Sequence, residues 1–163
     1  MTITGFLIRE IEQKDNPQLA KVVRDVIVEM GAPTVGTAYE DKATDQMFET
    51  YQEERTKYFV VEHNNEVVGG GGIAPLSGTD GSICELQKMY FLPIARGRGL
   101  GAQMIEKCLS YAKVFGFKTC YLETLPYMKA ARKLYTKNGF TNISGPMGNT
   151  GHYSCDVWMT KEL

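Results

Sequence analysis

The segment ARGRGLGAQM, residues 95–104, places three glycines and two arginines directly before an apolar helical pattern. The first turn of a helix leaves backbone N–H groups without partners and carries a partial positive charge. An anion at such a turn accepts several hydrogen bonds at once, and glycine permits its close approach. Arg96 and Arg98 add formal positive charge. The segment therefore predicts an anion-binding site, with a pyrophosphate as the obvious ligand.

The bulk composition is that of an ordinary globular protein. Of the 163 residues, 43% are hydrophobic and 23% are charged, and the formal net charge is −1. This length suits one domain with its own core, and we expect a single domain over residues 1–163. The small net charge argues against nucleic-acid and membrane partners. The sequence lacks a signal-peptide pattern and a long apolar run, which predicts a cytoplasmic protein.

The cysteines and histidines do not form a metal-binding pattern. The four cysteines contain no C-x-x-C pair, and we expect them to be reduced core residues. His152 and Cys155 alone are too sparse for a zinc site. The sequence therefore predicts no metal.

Hydrophobic periodicity predicts the element order β-α-α-β-β-β-α-β-α-β-β, and hence a mixed sheet with helices on both faces. The clearest hairpin is YFVVEHNNEVV, which turns at Asn64-Asn65. Asn16 is the expected cap of the first helix, and a second helix is expected over residues 43–53. The four glycines at residues 69–72 lie inside a strand. They indicate either a bulged or twisted edge, or a ligand close to the backbone.

The glycine segment is also compatible with a dinucleotide-binding loop. GRGLGA, residues 97–102, fits G-x-G-x-x-G/A, and Glu123 ends the next strand. That fold needs further parallel strands, however, and few elements follow Glu123. The strand before the loop also belongs to an antiparallel meander. A Walker-type P-loop is excluded because Gly-Lys-Ser/Thr is missing.

RGRGLG, residues 96–101, also matches the pattern Gln/Arg-x-x-Gly-x-Gly/Ala, and at this point the chain resembles the GNAT superfamily of acyl-CoA-dependent N-acetyltransferases. The resemblance covers nearly the whole chain, through ELQKMYFLP before the loop, YLET after the helix, and AARKLYTKNGF near the end. It implies a mostly antiparallel sheet of about six to seven strands, with a splayed strand pair around the coenzyme. It also implies acetyl transfer from acetyl-CoA to an amine.

The resemblance assigns coenzyme binding to the loop and to the strand before it. In the family, loop amides bind the pyrophosphate and the strand pairs with the pantetheine arm. Carried over, the Met89 N–H polarises the thioester carbonyl. The implied binding residues are Met89, Phe91, Arg96, Gly97, Arg98, Gly99, Leu100 and Gly101.

The resemblance also implies the catalytic residues. Tyr135 matches the tyrosine that protonates the departing thiolate in many relatives. Glu85 lies on the strand where relatives often carry a glutamate base, and Glu123 or water is the alternative. Strand alternation predicts that Glu85, Gln87 and Met89 share one face.

The chain departs from the family pattern at Met128. Many relatives have Asn at this position, where it contacts the pantetheine, and a thioether cannot donate that hydrogen bond. Three basic residues follow at the start of the last helix, and they either form a solvated face or contact the 3′-phosphate of coenzyme A. They are Lys129, Arg132 and Lys133.

The acceptor is expected to be a small-molecule amine that attacks directly in a ternary complex. In the family, two loops determine acceptor specificity; here the first is acidic and the second contains His152. The acidic residues either bind a cationic amine or form a solvated surface, and they are Glu40, Asp41 and Asp45, next to Tyr39. The alternatives are a protein or peptide N-acetyltransferase and a non-catalytic acyl-CoA-binding protein. Relatives are often dimers, which favours a homodimer.

Overall fold

The computed structural model describes residues 2–163, which form one eight-stranded sheet. The strands are β1 (Thr2–Ile3), β2 (Phe6–Glu10), β3 (Lys57–His63), β4 (Glu66–Pro75), β5 (Ile83–Phe91), β6 (Thr119–Thr124), β7 (Thr141–Ile143) and β8 (Val157–Glu162). Their order across the sheet is β1-β2-β3-β4-β5-β6-β8-β7. Among the described strands, β5 and β6 alone pair in parallel. The sheet is therefore mixed and mostly antiparallel, and the two-residue β1 extends one edge.

Four helices cover the two faces of this sheet. They are α1 (Asn16–Glu29), α2 (Met47–Thr50), α3 (Leu100–Val114) and α4 (Lys129–Lys137). Tyr58 and Val60 of β3 pack with α1 and α2, whereas Phe59 and Val61 pack with α3 and Tyr135 of α4. The alternation of β3 thus separates two cores. No helix within residues 2–163 is long and apolar enough to cross a lipid bilayer.

The segment after α1 differs from the sequence prediction. In place of one helix over residues 43–53, a short 3-10 turn at Lys42–Asp45 precedes the single turn of α2. The buried Thr44 hydroxyl donates to the Ala38 carbonyl at 2.7 Å, which holds the chain in this irregular path. Asn16 does not cap α1 but is its first residue. Its side chain accepts from the Phe48 amide at 2.8 Å and so connects α1 to α2.

Two glycines of β4 make room for the Tyr58 ring. A Cβ at Gly70 would lie 2.7 Å from the Tyr58 hydroxyl, and a Cβ at Gly72 would lie 2.4 Å from the Lys57 carbonyl oxygen. The ring therefore lies flat across bare backbone. Its hydroxyl reaches β5 and donates to the Lys88 carbonyl at 2.6 Å.

The other two glycines lie beneath side chains on the opposite face of β4. A Cβ at Gly69 would lie 2.2 Å from Phe91 Cδ1, and a Cβ at Gly71 would lie 3.0 Å from Met104 Cγ. Side chains of the protein thus occupy both faces of the glycine run. The interpretation that a ligand approaches these glycines is wrong, and a bulge is present instead.

This bulge lies in β5, where Lys88 and Met89 together face Gly71 of β4. Lys88 adopts φ +46°, an uncommon conformation for a residue with a side chain. The extra residue reverses the alternation of β5. Met89 therefore packs against the α3 core, while Glu85 and Gln87 lie on the α1 face. The expectation that Glu85, Gln87 and Met89 share one face is wrong.

The parallel strands β5 and β6 separate after a short paired stretch. Residues 83–85 pair with residues 119–121, and beyond Glu85 no described residue of β5 pairs with β6. Strand β6 remains paired with β8 as far as Thr124. The edge of β5 that faces β6 is therefore free along residues 86–91. This is the splayed strand pair that the resemblance implies.

We expect Gly72→Ala to destabilise the fold because its Cβ would collide with backbone at Lys57. An overpacked site of this kind costs about 3 kcal/mol of unfolding free energy. The control is Gly145→Ala, since nothing lies within 4 Å of a Cβ there. That variant should remain within about 0.5 kcal/mol of wild type in urea denaturation. Equal stability of the two variants would contradict the close packing of Tyr58 on β4.

Candidate active site

A cavity of about 740 Å³ lies in the gap between β5 and β6. It contacts most of the residues assigned to the coenzyme, together with the proposed acid on α4. Those lining residues are Met89, Phe91, Arg96, Gly97, Gly99, Leu100, Gly101 and Tyr135. Arg98 and Glu85 do not line it. The cavity therefore joins the anion-binding segment to the splayed strands.

The glycine segment presents free amides at the start of α3. Gly97 and Gly99 adopt φ +71° and +80°, and no side chain caps the helix. The first helical bond runs from the Gln103 amide to the Gly99 carbonyl at 3.2 Å. Within the described chain, the amides of residues 97–102 have no hydrogen-bond acceptor. This turn fits the pyrophosphate of a coenzyme because several donors converge on one anion.

Gly101 is required for packing between two helices. A Cβ at this position would lie 2.6 Å from Leu134 Cδ2 of α4. Gly101 thus lets α4 approach the first turn of α3. By allowing this approach, Gly101 sets the position of the cavity wall that α4 forms, whether or not Gly101 also contacts a ligand.

The guanidinium groups of the two arginines are held by the protein itself. Arg96 makes two 2.8 Å contacts with the Glu29 carboxylate and donates to the Phe91 carbonyl at 2.9 Å. Arg98 donates to the Ile94 carbonyl at 2.8 Å and lies over the Phe6 ring. Their side chains stabilise the loop. The main-chain amides are left as its anion-binding groups.

Tyr135 lies on the cavity wall with its hydroxyl unused by the protein. The residue is buried, its ring contacts Phe140 edge-on, and its hydroxyl has no partner among the described side chains and carbonyls. Burial raises the pKa of Tyr135 to about 12. The phenol therefore stays protonated at neutral pH and is available as a proton donor.

Glu85 is a buried carboxyl group beside the splay. Burial raises the pKa of Glu85 to about 7; the Gln87 amide, which donates at 2.7 Å, opposes the shift, and the charge of Glu123 adds to it. Gln87 is in turn held by the Tyr51 hydroxyl at 2.5 Å. A carboxyl that titrates near neutrality suits the removal of a proton from an amine.

Glu123 is the carboxylate that lines the cavity. The Tyr121 hydroxyl donates to Oε2 at 2.7 Å, and the Thr150 hydroxyl donates to Oε1 at 2.6 Å. The side chain is only 6% exposed. It is thus fixed on the β6 side of the gap, close to Glu85 on the β5 side.

A charged network connects both acceptor loops to the bulge. Asp41 Oδ2 lies 2.7 Å from His152 Nε2 and 3.3 Å from Lys88 Nζ. His152 Nδ1 lies 4.0 Å from Glu123 Oε1. Burial opposes ionisation of His152, but the Asp41 carboxylate outweighs it and raises the pKa of the ring. Burial likewise opposes ionisation of Asp41, yet His152 and Lys88 lower the pKa of Asp41.

Three groups of this region are close enough to share a metal ion. Ligand atoms of Glu85, Glu123 and His152 all lie within 4.8 Å of one another. Both Glu123 oxygens already accept hydrogen bonds, and Asp41 holds the ring of His152. The arrangement therefore favours proton transfer between these groups over metal binding. The absence of a metal stays a prediction.

Other residues in the predicted list have local roles. Met128 Sδ accepts from the Thr124 hydroxyl at 3.6 Å, and Arg132 donates to the Pro126 carbonyl at 2.8 Å. Lys129 lines the cavity, whereas Lys133 does not. Lys88 also lines the cavity. The sequence prediction missed it because nothing in the strand pattern marks the bulge.

The cysteines are free thiols in the described structure, and three of them are fully buried. Cys155 lines the cavity, but burial raises the pKa of its thiol to about 12. A thiol with so high a pKa is a poor nucleophile at neutral pH. The site thus has carboxylates, a phenol and free amides as its reactive groups.

A model of the acetyltransferase (GNAT) family matches residues 24–140, and the chain belongs to that family. It is 44% identical over 158 residues to the uncharacterized N-acetyltransferase YjgM of Escherichia coli, covering 96% of this chain and 95% of that protein. It is 33% identical over 107 residues to the IAA acetyltransferase of Azospirillum brasilense, covering 66% of this chain and 68% of that protein.

Solved structures confirm the fold class. A GNAT acetyltransferase from Staphylococcus aureus aligns with TM-score 0.80 and 18% identity over 97% of this chain and 99% of its own. YncA from Salmonella typhimurium, solved with its cofactor acetyl-CoA, aligns with TM-score 0.77 and 19% identity over 98% of this chain and 94% of its own. The dinucleotide-binding interpretation is wrong, because the sheet around α3 is mostly antiparallel.

We expect Glu85→Gln to change how stability depends on pH. The folded protein binds the Glu85 proton more tightly than the unfolded chain, whose carboxyl titrates near 4.5. The resulting stabilisation is complete below that pH and is lost as pH rises through about 7. The glutamine side chain of the variant does not ionise, so the variant does not lose this stabilisation as the pH rises.

The variant should therefore gain roughly 2–3 kcal/mol of unfolding free energy relative to wild type between pH 5 and pH 8.5. Urea denaturation across this pH range provides the measurement, with Glu106→Gln on the exposed face of α3 as control. Parallel pH curves for wild type and Glu85→Gln would show that burial does not perturb this carboxyl.

Proposed function

We propose that this protein transfers an acetyl group from acetyl-CoA to the primary amine of a small-molecule acceptor by direct attack in a ternary complex. The observation that carries the proposal is one cavity lined by the free-amide loop, the Tyr135 hydroxyl and the Glu123 carboxylate. Family membership supports acetyl transfer, and the acetyl-CoA in the similar yncA structure supports the donor. A cytoplasmic location and a homodimer stay predictions.

The loop and the free edge of β5 fit the coenzyme. The amides of residues 97–102 would hold the pyrophosphate, and the edge along residues 86–91 would pair with the pantetheine arm. When bound, acetyl-CoA supplies an activated thioester. The Met89 N–H is the proposed donor to the carbonyl oxygen of that thioester, where negative charge develops during attack.

Two groups move protons in the proposed reaction. The amine nitrogen forms a bond to the thioester carbon, and the carbon–sulfur bond breaks. The Glu85 carboxylate, which lies outside the cavity lining, accepts the proton that the amine loses through Glu123 or water. Tyr135 gives its proton to the departing thiolate and is restored from solvent. The high pKa of Tyr135 and the near-neutral pKa of Glu85 suit these opposite roles.

The acceptor loops favour a compact substrate. The Ser154 amide donates to the Gly36 carbonyl at 3.1 Å, and its hydroxyl donates to the Val35 carbonyl at 2.7 Å. Thr37 and Cys155, which flank these contacts in the two loops, line the cavity. Joined loops leave less room for an extended peptide than an open groove would. This supports a small amine over a protein substrate.

The function is tested by binding and by turnover. Calorimetry should show saturable binding of acetyl-CoA and none of NADH. Release of free thiol should then require a small amine, and a peptide panel should give no product. Protein incubated with acetyl-CoA alone should keep its unmodified mass. A competent acetyl-cysteine adduct would contradict direct attack, and tight binding without turnover of any amine or peptide would indicate a non-catalytic protein.

We expect Tyr135→Phe to lower kcat by about 100-fold, the contribution typical of one general acid. The Kd for acetyl-CoA should stay within about twofold of wild type, because a single unpaired hydroxyl is removed and the packing of the ring is kept. Tyr111→Phe, which alters an aromatic cluster on α3 with Phe59 and Phe115, is the control. Unchanged turnover in Tyr135→Phe would exclude Tyr135 as the acid.

A further inference from the structure

Lys88 is a buried cation on the wall of the proposed active site. It occupies the bulge of β5 at φ +46°, and its side chain is 8% exposed. Lysine is almost never buried to this extent without a compensating partner. Lys88 lines the cavity together with Glu123. Both the strained backbone and the buried charge oppose folding, so a function for this residue is expected.

The protein satisfies the Lys88 ammonium only in part. Its ion pair with Asp41 Oδ2 at 3.3 Å is its single polar contact within residues 2–163. The same Asp41 oxygen also contacts His152, whose Nε2 lies 2.7 Å away. An ammonium group has three N–H donors, so Lys88 retains donors for a ligand. An anionic group in the cavity would supply the missing acceptors.

The same end of the cavity carries a fixed negative charge. A chain of contacts leads from Lys88 through Asp41 and His152 to Glu123. The cation belongs to β5 and the carboxylate to β6, so the two line opposite sides of the gap. The neighbouring wall from α1 and the loop after it is mainly apolar and includes Val26, Ile27, Met30 and Ala32, together with Thr37.

This arrangement disfavours an acceptor that carries only an amine. The ammonium form of such an acceptor would be attracted by Glu123 and repelled by Lys88 within one small cavity. An acceptor that also bears a carboxylate removes the repulsion and uses the free donors of Lys88. A zwitterion with an apolar side chain matches all three features of the wall.

We propose that Lys88 binds the carboxylate of an amino-acid acceptor with an apolar side chain, whose amine lies toward Glu123 and Glu85. The inference rests on the proposed acetyl transfer for the position of the amine. It makes Lys88 the residue that distinguishes amino acids from the corresponding simple amines. The competing explanation is that Lys88 only neutralises Asp41 and has no contact with substrate.

The test compares leucine and phenylalanine with isoamylamine and phenethylamine, which lack the carboxylate. Calorimetry with the protein saturated with coenzyme A measures binding, and thiol release from acetyl-CoA measures turnover. Wild type should bind each amino acid about 10- to 100-fold more tightly than its matched amine, the value of one charge-assisted contact. Lys88→Met should lose this preference and bind the simple amines at least as tightly as wild type does, because the repulsion between the two cations is removed.

Lys88→Met and Lys88→Arg provide a matched pair of variants. Methionine is unbranched like lysine and one atom shorter, so its backbone strain at φ +46° resembles that of lysine. Arginine keeps the charge and should restore part of the preference. Lys14→Met, at a side chain that is 69% exposed, should behave as wild type. Coenzyme A binding and thermal melting establish that each variant folds. If Lys88→Met is unfolded, the inference is judged by two other results: the preference of wild type for amino acids over amines, and the size of the same preference in Lys88→Arg.

The outcomes separate this inference from the proposed function. Lys88-dependent binding of amino acids without acetyl transfer would support the inference and overturn the function. Acetyl transfer to simple amines, with an amino-acid preference unchanged in Lys88→Met, would support the function and leave Lys88 with the role of neutralising Asp41. Failure of wild type to bind either amino acid would overturn the inference.

Discussion

The hydrogen bond from the Tyr58 hydroxyl to the Lys88 carbonyl is the contact on which the site geometry depends. It forms only because Gly70 and Gly72 let the aromatic ring lie flat across β4. It holds β5 at its bulge, where one additional residue changes the direction of every later side chain. Met89 consequently packs on the α3 face. The pairing of β5 with β6 has already ended at Glu85, so the bulge arranges the side chains along the open part of the strand.

The charged groups of the site are arranged on a rigid frame and on two loops. Strands β5 and β6 carry Glu85, Lys88 and Glu123, whose backbones the sheet fixes. The loops carry Asp41 and His152, which are 111 residues apart in the chain and meet at 2.7 Å. The Glu85 and Glu123 carboxyl groups thus belong to the sheet, whereas the loops supply the charged groups next to them. Such a division lets one scaffold hold a donor molecule while its acceptor pocket varies.

The sequence predicted the features that depend on neighbouring residues in the chain, such as helix starts and strand or helix periodicity. The glycine spacing predicted the start of α3, and strand and helix periods predicted the mixed sheet and its two covered faces. The bulge at Lys88 was not predictable, because an inserted residue leaves no mark in a two-residue alternation until the partner strand is known. The contact between Asp41 and His152 and the burial that perturbs Glu85 depend on tertiary packing. The residues 43–53 have helical spacing, yet the contact of Thr44 with Ala38 overrides it.

The short pairing between β5 and β6 has a consequence for the energetics of the whole molecule. Only three residue pairs form the strand ladder between the five strands on one side of the described sheet and the three on the other. A ligand that lies along the gap touches both sides and acts as an additional strand between them. Its binding energy then contributes to cohesion of the fold, about 2.7 kcal/mol at a ligand concentration 100 times Kd. Resistance to heat and to proteolysis would thereby report how well the protein is supplied with its ligand.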